Sequence, residues 1–191
     1  IVPLASMILA LIAGSFVFWL NGAHPLEAYK EMFIGPFGDG YSFSETLVQA
    51  TPLLFTGLAI SLTLRTLLWN IGAEGQFFMG AMGATWAAQY FAGLPSWLLI
   101  PILMMSGMVA GGLWALPPAL LKTKLKVNEI LTTLLLNYVA IFFVNYTLYG
   151  PWKDPRYPGF PQTPRYPDAA ILPQYFNTRL HAGILIGILL A

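Results

Sequence analysis

Six polar residues stand out from a chain that is otherwise mostly apolar: Asn70, Glu74, Gln76, Glu129, Thr133 and Asn137. Their amide, hydroxyl and carboxylate groups can each take part in several hydrogen bonds. Groups of this kind either bind a polar ligand or hold the backbone of neighbouring segments. The chemistry that they offer is therefore binding through hydrogen bonds.

Residue types that support catalysis or metal binding are scarce. The chain has no cysteine, and its only two histidines, His24 and His181, lie far apart in the sequence. These facts exclude thiol catalysis and disulfides and argue against a histidine metal site. We therefore expect no catalytic residue, no metal and no cofactor, and we do not expect an enzyme. The net charge of +1 gives no reason to expect nucleic acid as a partner.

The first three polar residues lie in a glycine-rich run, Asn70-Ile71-Gly72-Ala73-Glu74-Gly75-Gln76. Glu74 is the only charged residue between Arg65 and Lys122. Ionisable groups at or inside a membrane boundary are costly and are usually functional. Two roles are open for Glu74: it accepts backbone N–H bonds that hold the run together, or it contacts a bound ligand.

The other three polar residues, Glu129, Thr133 and Asn137, are spaced four residues apart and so share one face of a predicted helix. On an otherwise apolar helix, such a stripe faces protein or water rather than lipid. Asn128 directly precedes the stripe and is suited to cap the helix. The stripe either forms hydrogen bonds between helices or lines a path for a polar substrate, and the sequence leaves both open.

The composition indicates which elements position these residues. The chain is 57% hydrophobic and 9% charged, whereas roughly a quarter of residues are charged in a soluble domain. We therefore predict an all-α, polytopic integral membrane protein in which residues 1–191 form a single transmembrane domain. A spanning helix needs about 20 apolar residues. This length predicts five complete transmembrane helices, at residues 1–20, at about 46–64, two within 75–121, and at 127–149, and the start of a sixth near residue 180.

The two ends of the chain suggest that it is a fragment of a longer protein. It begins at Ile1 without an initial Met, and it ends at Ala191 inside an apolar run. The part of that run that is present is shorter than the roughly 20 residues needed to cross the hydrocarbon core.

Small residues recur at helical spacing in the two helices predicted within 75–121. Gly80 and Gly83 lie in the first of these helices, Gly107 and Gly111 in the second, and the turn Gly93-Leu94-Pro95-Ser96 separates them. Small residues at this spacing let helix backbones approach closely. We therefore predict that these four glycines lie at contacts between helices.

The distribution of basic residues predicts the orientation in the membrane. Lys122, Lys124 and Lys126 form the densest basic cluster in the chain, which places them in the cytoplasm. Arg65 then lies on the same side, because two spans separate it from the cluster. Residues 22–44 are predicted to be external and to include an amphipathic interfacial helix that begins at Pro25.

Residues 150–179 form a second predicted external connection. Prolines occupy every third position from Pro155 to Pro167, which matches the three residues per turn of polyproline II. We therefore predict an extended strap, whose 155–167 part would reach roughly 40 Å at about 3.1 Å per residue. The sequence Pro-Arg-Tyr-Pro occurs twice in it, at residues 155–158 and 164–167. A passive lid and a docking surface for an external partner are both open as roles for this strap.

Five runs occur in an order and spacing that match a known family: Trp69 to Gln76, Met79-Gly80-Ala81, Lys126 to Ile130, Leu136-Asn137-Tyr138 and Gly150 to Pro155. They resemble the permease subunit of bacterial ABC importers for nucleosides and simple sugars. The resemblance implies a multi-pass protein of the bacterial inner membrane, about twice as long as this chain. It also implies three protein partners in the lipid bilayer or beside it: a cytoplasmic ATPase subunit, a second permease subunit and an external substrate-binding lipoprotein. The six polar residues then become candidates for the substrate path.

One departure from the family and two alternatives remain. The Ala-x-Gly-x-Asn run through which the family contacts the ATPase is not found in this chain, and we expect it beyond Ala191. An ion-coupled secondary transporter, with Glu74 or Glu129 as the titrating group, is the first alternative. An ABC permease for branched-chain amino acids is the second, although a zwitterionic cargo favours a more charged site.

Overall fold

A computed structural model describes residues 2–191. Seven α-helices run through this part of the chain: α1 (Val2–Leu20), α2 (Pro25–Ile34), α3 (Gly40–Arg65), α4 (Ala73–Tyr90), α5 (Ser96–Leu125), α6 (Glu129–Tyr149) and α7 (Gly183–Leu190). Two short 3-10 turns lie at Gly35–Phe37 and Asp168–Ala170. Residues 2–191 contain no β-strand, only an isolated bridge between Gln174 and His181. The all-α prediction is confirmed.

Four of the helices, α1, α3, α5 and α6, are long and apolar enough to cross a membrane. The prediction of a polytopic membrane protein is confirmed, but the count of five complete spans is not. The predicted third span, α4, is a helix of 18 residues that carries Glu74, Gln76 and Gln89. Because α4 packs against both α5 and α6, much of its surface faces protein, and such a helix needs fewer apolar side chains than a lipid-facing one.

The chain divides into two compact units, of which the first comprises residues up to Thr51 together with Gln174–Ile184. Within this unit α2 packs against α1, and the Tyr29 hydroxyl donates a hydrogen bond to the carbonyl of Leu11 at 2.7 Å. The helix that was predicted to begin at Pro25 is confirmed. Arg179 pairs with Glu45 at 3.1 Å and ties the loop before α7 to the first turns of α3.

Helix α3 begins six residues earlier than predicted, at Gly40, so the connection from α1 ends before residue 44. The carboxylate of Asp39 explains this start, because it accepts hydrogen bonds from the N–H of Ser42 at 2.7 Å and from its hydroxyl at 3.2 Å. A carboxylate in this position satisfies a backbone donor in the first turn of a helix.

The second unit comprises Pro52–Pro173 with Leu185–Ala191 and contains α4, α5 and α6. The fourth span was predicted to lie within 75–121, but α5 continues through Pro117 and Pro118 to Leu125, within the predicted lysine cluster. Helices in membranes tolerate proline because neighbouring groups satisfy the carbonyls that it leaves unpaired. The helix ends at Lys126, which has left-handed backbone angles and donates its N–H to the carbonyls of Leu121 and Lys122.

The segment that was predicted to be an extended strap is not extended over its first half. The N–H of Asp154 donates to the carbonyl of Gln162 at 2.8 Å and folds the segment back on itself. Residues 161–167 are free of turns, and Pro167 has φ −61° and ψ 148°, which are polyproline II values. The predicted reach of roughly 40 Å is therefore wrong, because local hydrogen bonds override the proline period between residues 154 and 162.

Candidate functional site

The glycine-rich run lies where a loop turns into the first turn of α4. Helix α3 ends at Arg65, and α4 begins at Ala73 with Gly72 as its N-cap residue. The side-chain oxygen of Asn70 accepts the N–H of Gly72 at 2.9 Å. This local bond is an Asx-turn, in which the asparagine side chain shapes its own backbone two residues ahead.

Asn137 of α6 holds this run from the opposite side. Its Oδ1 accepts the N–H of Gly75 at 2.8 Å, and its Nδ2 donates to the carbonyl of Ile71 at 2.9 Å. The side chain is buried, with 6% of the residue exposed. Each end of the amide therefore satisfies a backbone group of the run that would otherwise be unpaired. The structure thus unites two sequence features that lie more than 60 residues apart.

Thr133 extends the same contact by one helical turn. Its hydroxyl accepts the N–H of Ile71 at 3.3 Å and donates to the carbonyl of Glu129 at 2.7 Å. Two members of the predicted polar stripe on α6, Thr133 and Asn137, therefore bind the backbone of the loop before α4. Asn128 caps α6 as predicted, since its side chain accepts the N–H groups of Ile130 and Leu131.

The glycines of the run make this close approach possible. A Cβ added at Gly72 would lie 2.9 Å from Cβ of Thr133. A Cβ added at Gly75 would lie 2.8 Å from Oδ1 and 3.1 Å from Cα of Asn137. Neither position has room for a residue larger than glycine unless the backbone of α6 moves away. Gly72 and Gly75 are therefore required by packing between the loop and α6.

Of the two roles left open for Glu74, the structure does not support the first, in which its carboxylate holds the run together. Glu74 is exposed, and its side chain makes no hydrogen bond or ion pair with any of the described residues. The clamp is Asn137, whose amide can both donate and accept, whereas an ionised carboxylate only accepts. Glu74 stands instead in the first turn of α4, where a negative charge interacts favourably with the helix dipole.

A cavity of about 130 Å³ lies beside the clamp. Asn70, Gln76, Glu129 and Thr133 all border it, so the structure brings four of the six predicted polar residues to one space. Glu74 and Asn137 do not border it. The remaining wall comes from the end of α3, the loop before α4 and the last turns of α5, namely Thr63, Leu68, Trp69, Ala115, Pro118, Ala119 and Lys122.

An ion pair between Lys122 and Glu129 borders the same cavity. The pair joins the last turn of α5 to the first residue of α6, and both side chains are partly exposed, at 31% and 23%. This ion pair was not predicted from the sequence. The available signal was the pair of opposite charges seven residues apart, one on each side of a predicted turn between helices.

The four predicted packing glycines lie along the contact between α4 and α5. A Cβ added at Gly80 would lie 3.1 Å from the carbonyl oxygen of Gly107. A Cβ added at Gly83 would lie 2.7 Å from the carbonyl oxygen of Ser106. A Cβ added at Gly107 would lie 3.3 Å from the carbonyl oxygen of Gly80, and one added at Gly111 would lie 3.0 Å from the carbonyl oxygen of Gln76. These backbones approach too closely for larger side chains.

A family model described as "Branched-chain amino acid transport system / permease component" matches residues 42–191. The matched region includes the whole second unit, and with it the run at 70–76, α6 and the cavity. No solved structure matches this chain significantly.

Three curated proteins resemble this chain. The glucose ABC transporter permease protein TsgB13 of Haloferax volcanii is 37% identical over 97% of this chain and 51% of its own length. The guanosine ABC transporter permease protein NupP of Bacillus subtilis is 34% identical over 100% of this chain and 55% of its own. The nucleoside ABC transporter permease protein NupB of Lactococcus lactis subsp. cremoris is 32% identical over 78% of this chain and 41% of its own.

The chain spans about half the length of the curated relatives that it matches. The four apolar helices of spanning length within residues 2–191 are those of a multi-pass protein of the cell membrane. Because the family model covers most of the chain, this protein belongs to the family of branched-chain amino acid transport system permease components.

Proposed function

We propose that this chain forms part of the translocation path of an ATP-binding cassette importer for a nucleoside or a simple sugar. One observation carries the proposal: in a chain of a permease family, four polar side chains from the loop before α4, from α4 and from α6 border one otherwise mostly apolar cavity. The relatives are named as permeases for glucose, guanosine and nucleosides. A second permease subunit completes the path, and a separate cytoplasmic subunit hydrolyses ATP.

The polar groups beside the cavity suit a neutral, hydroxyl-rich cargo. Asn70 and Gln76 carry amides and Thr133 a hydroxyl, which donate and accept hydrogen bonds without charge. The two charges at the cavity, on Lys122 and Glu129, neutralise each other as an ion pair. This arrangement favours sugar hydroxyls and nucleobase edges over a zwitterionic amino acid, which would need an unpaired charge of each sign.

The cavity is too small for a nucleoside in the conformation described. Ligand pockets usually enclose about 300 Å³ or more, and this cavity holds about 130 Å³. Alternating access supplies the missing volume, because broken segments next to helix ends rearrange around a central site. The loop between Arg65 and Ala73 is such a segment, and the path widens there.

The proposal includes the orientation and the partners. Lys122, Lys124, Lys126 and Arg65 face the cytoplasm, where positive charge is retained, and the ATPase subunit lies on that side. The segment 150–173 then faces outward, where an external substrate-binding lipoprotein delivers the cargo. Glu74, exposed beside the loop, and Asn137, behind it, shape the path without lining the cavity.

Uptake into proteoliposomes tests the proposal. The full complex of both permeases and the ATPase subunit is reconstituted with the binding protein outside and ATP inside, and labelled guanosine, glucose and leucine are compared. We expect ATP-dependent uptake of guanosine or glucose and none of leucine. Uptake of leucine alone would assign the chain to amino acid transport. Uptake that follows an ion gradient without ATP would instead make the protein a secondary transporter.

A further inference from the structure

The two Pro-Arg-Tyr-Pro copies have different contacts although their sequences are identical. In the first copy, the Arg156 guanidinium donates to both carboxylate oxygens of Asp154 at 2.8–3.1 Å. Asp154 is nearly fully buried, whereas Tyr157 is 55% exposed. The hydroxyl of Tyr157 forms no hydrogen bond with any residue in 2–191. In the first copy the arginine side chain therefore makes the contact, and the tyrosine hydroxyl makes none with the described residues.

In the second copy the tyrosine makes the contact. The Tyr166 hydroxyl lies 2.6 Å from Oγ1 of Thr85, on the buried side of α4. Oγ1 of Thr85 also lies 2.7 Å from the carbonyl of Ala81. Because that carbonyl can only accept, the single proton of Thr85 is donated to it, and Tyr166 donates to Thr85. The side chain of Arg165 is 82% exposed, and its Nη2 lies 3.9 Å from Oδ1 of the exposed Asp168, which is too far for a hydrogen bond.

The segment from 150 to 162 is held by several local hydrogen bonds, whereas the backbone hydrogen bonds of the segment after it lie in the short turn at Asp168–Ala170. Besides the bond from Asp154 to Gln162, the N–H of Trp152 donates to Thr147 at 2.9 Å and Lys153 donates to the carbonyl of Pro158 at 2.6 Å. Among residues 163–173, Tyr166 is the residue whose side chain forms a hydrogen bond to a helix, and its partner is Thr85 of α4. This part of the strap is therefore held by one side-chain hydrogen bond to α4 and by the packing of the Asp168–Ala170 turn against α5.

Helix α4 connects this point to the candidate site. Thr85 stands in the C-terminal half of α4, and Gly75 stands in the first turn of the same uninterrupted helix. Asn137 binds Gly75 there. One continuous helix therefore joins the Tyr166 contact to the loop that borders the cavity.

We infer that Tyr166 and Thr85 form a latch, which holds the outer strap on α4 until an external partner displaces it. The inference rests on the proposed function and names a regulatory contact for it. A neutral hydrogen bond shifts an equilibrium by about 2- to 12-fold, so the binding energy of a docking protein is sufficient to release the latch. Tyr166 and Thr85 are positioning residues, and neither contacts the cargo.

A distance measurement in the permease tests the latch directly. The cysteine-free chain takes spin labels at Gly93→Cys, in the open turn between α4 and α5, and at Arg165→Cys, beside the latch. Tyr166→Phe removes only the hydroxyl, and Tyr157→Phe is the matched control in the first copy. We expect the population with a displaced strap to rise about 2- to 12-fold in Tyr166→Phe and to stay at the background level in Tyr157→Phe.

ATP hydrolysis by the full complex gives the functional readout. If the latch holds the resting state, its loss raises hydrolysis without the loaded binding protein by up to the same factor and leaves the stimulated rate unchanged. Thr85→Val should match Tyr166→Phe, and the double variant should add nothing, because both remove one bond. Wild-type distances or a wild-type unstimulated rate in Tyr166→Phe would overturn the latch.

Different results would contradict the proposed function and the Tyr166–Thr85 latch. The distances are measured in the permease alone and need no transport. If the wild-type complex shows no ATP-dependent uptake of a nucleoside or sugar, the proposed function is wrong whatever the labels report. If uptake is present but Tyr166→Phe behaves like Tyr157→Phe in either assay, only the latch is wrong.

Discussion

Oδ1 of Asn137 accepts the N–H of Gly75 at 2.8 Å, and this bond joins α6 to the first turn of α4 across 62 residues of sequence. Because Nδ2 of the same amide donates to Ile71, one side chain fixes both the loop and the helix that follows it. The cavity borders this junction, so its shape depends on the clamp.

Asn137→Leu should reduce the amount of folded protein. The change leaves the Gly75 N–H and the Ile71 carbonyl unpaired in a buried place, at a cost of roughly 1 to 3 kcal/mol each. The matched control is Asn145→Leu on the same helix, where the side chain is exposed and forms no hydrogen bond within the described chain. Thermal unfolding in detergent measures both variants. Equal melting temperatures for the two would show that the clamp does not support the fold.

Gly75→Ala should destabilise the contact between α4 and α6. The new methyl group would lie 2.8 Å from Oδ1 of Asn137 and close to the α6 backbone, and such overpacking costs about 1 to 3 kcal/mol. Gly57→Ala in α3 is the control, because nothing lies within 4 Å of its added Cβ. It should be neutral or stabilising by up to about 1 kcal/mol, since alanine favours the helix. The measurement is the melting temperature, and a stable Gly75→Ala would contradict the close approach.

Adjacent glycines of α5 should respond differently to leucine. Gly111→Leu pushes against the Gln76 carbonyl of α4, 3.0 Å from the added Cβ, whereas Gly112 faces open space. We expect Gly111→Leu to lose folded protein and Gly112→Leu to keep it, because only the first separates two packed backbones. Size-exclusion profiles of the two purified variants report the difference. Normal yield of Gly111→Leu with an altered choice of substrate would place Gly111 on the path.

The turn at Asp154 should resist acid down to an unusually low pH. The Arg156 side chain and then its N–H, as hydrogen-bond donors, hold the pKa of the Asp154 carboxyl below its ordinary value, which is near 3.9. A carboxyl with a lowered folded pKa contributes stability above its unfolded pKa and loses it as the pH falls through the folded one. Hydrogen exchange at residues 153–162, corrected for intrinsic rates, should therefore stay constant from about pH 8 to pH 5 and rise only below about pH 4.

Two variants separate this effect from general acid unfolding. Asp154→Asn removes the titrating group and should raise exchange at every pH, without the acid step. Asp168→Asn, at an exposed carboxylate, should behave as the wild type. An acid step that survives in Asp154→Asn would assign it to another group.

The orientation of the chain should be visible to a membrane-impermeant thiol reagent. Lys124→Cys is exposed at the end of α5 and Gly159→Cys in the strap, and the chain has no other cysteine. In intact cells we expect the reagent to label Gly159→Cys and not Lys124→Cys, because the lysine cluster faces the cytoplasm. Permeabilised cells serve as the control for reactivity. The reverse pattern in intact cells would invert the proposed orientation.

Several features could be predicted from the sequence because they depend on local pattern. The helices at residues 2–20 and 129–149 follow from apolar runs, the helix at 25–34 from an amphipathic pattern, and the start of α5 at Ser96 from the turn before it. Asn128 was predicted as a cap because the capping geometry is local. The errors at α3 and α5 concern helix ends, where Asp39 and the left-handed Lys126 decide the boundary.

The sequence by itself determined the class of the protein, because low charge, long apolar runs and a period of four for Glu129, Thr133 and Asn137 are properties of the chain alone. Only the tertiary structure decided which partner each polar group has. It gave the clamp on the 70–76 run to Asn137 and left Glu74 exposed, since the Gly75 N–H and the Ile71 carbonyl face α6. It also separated two identical Pro-Arg-Tyr-Pro copies into an arginine contact and a tyrosine contact. Hydrogen bonds act over about 3 Å, and sequence does not specify such distances between residues that are many positions apart.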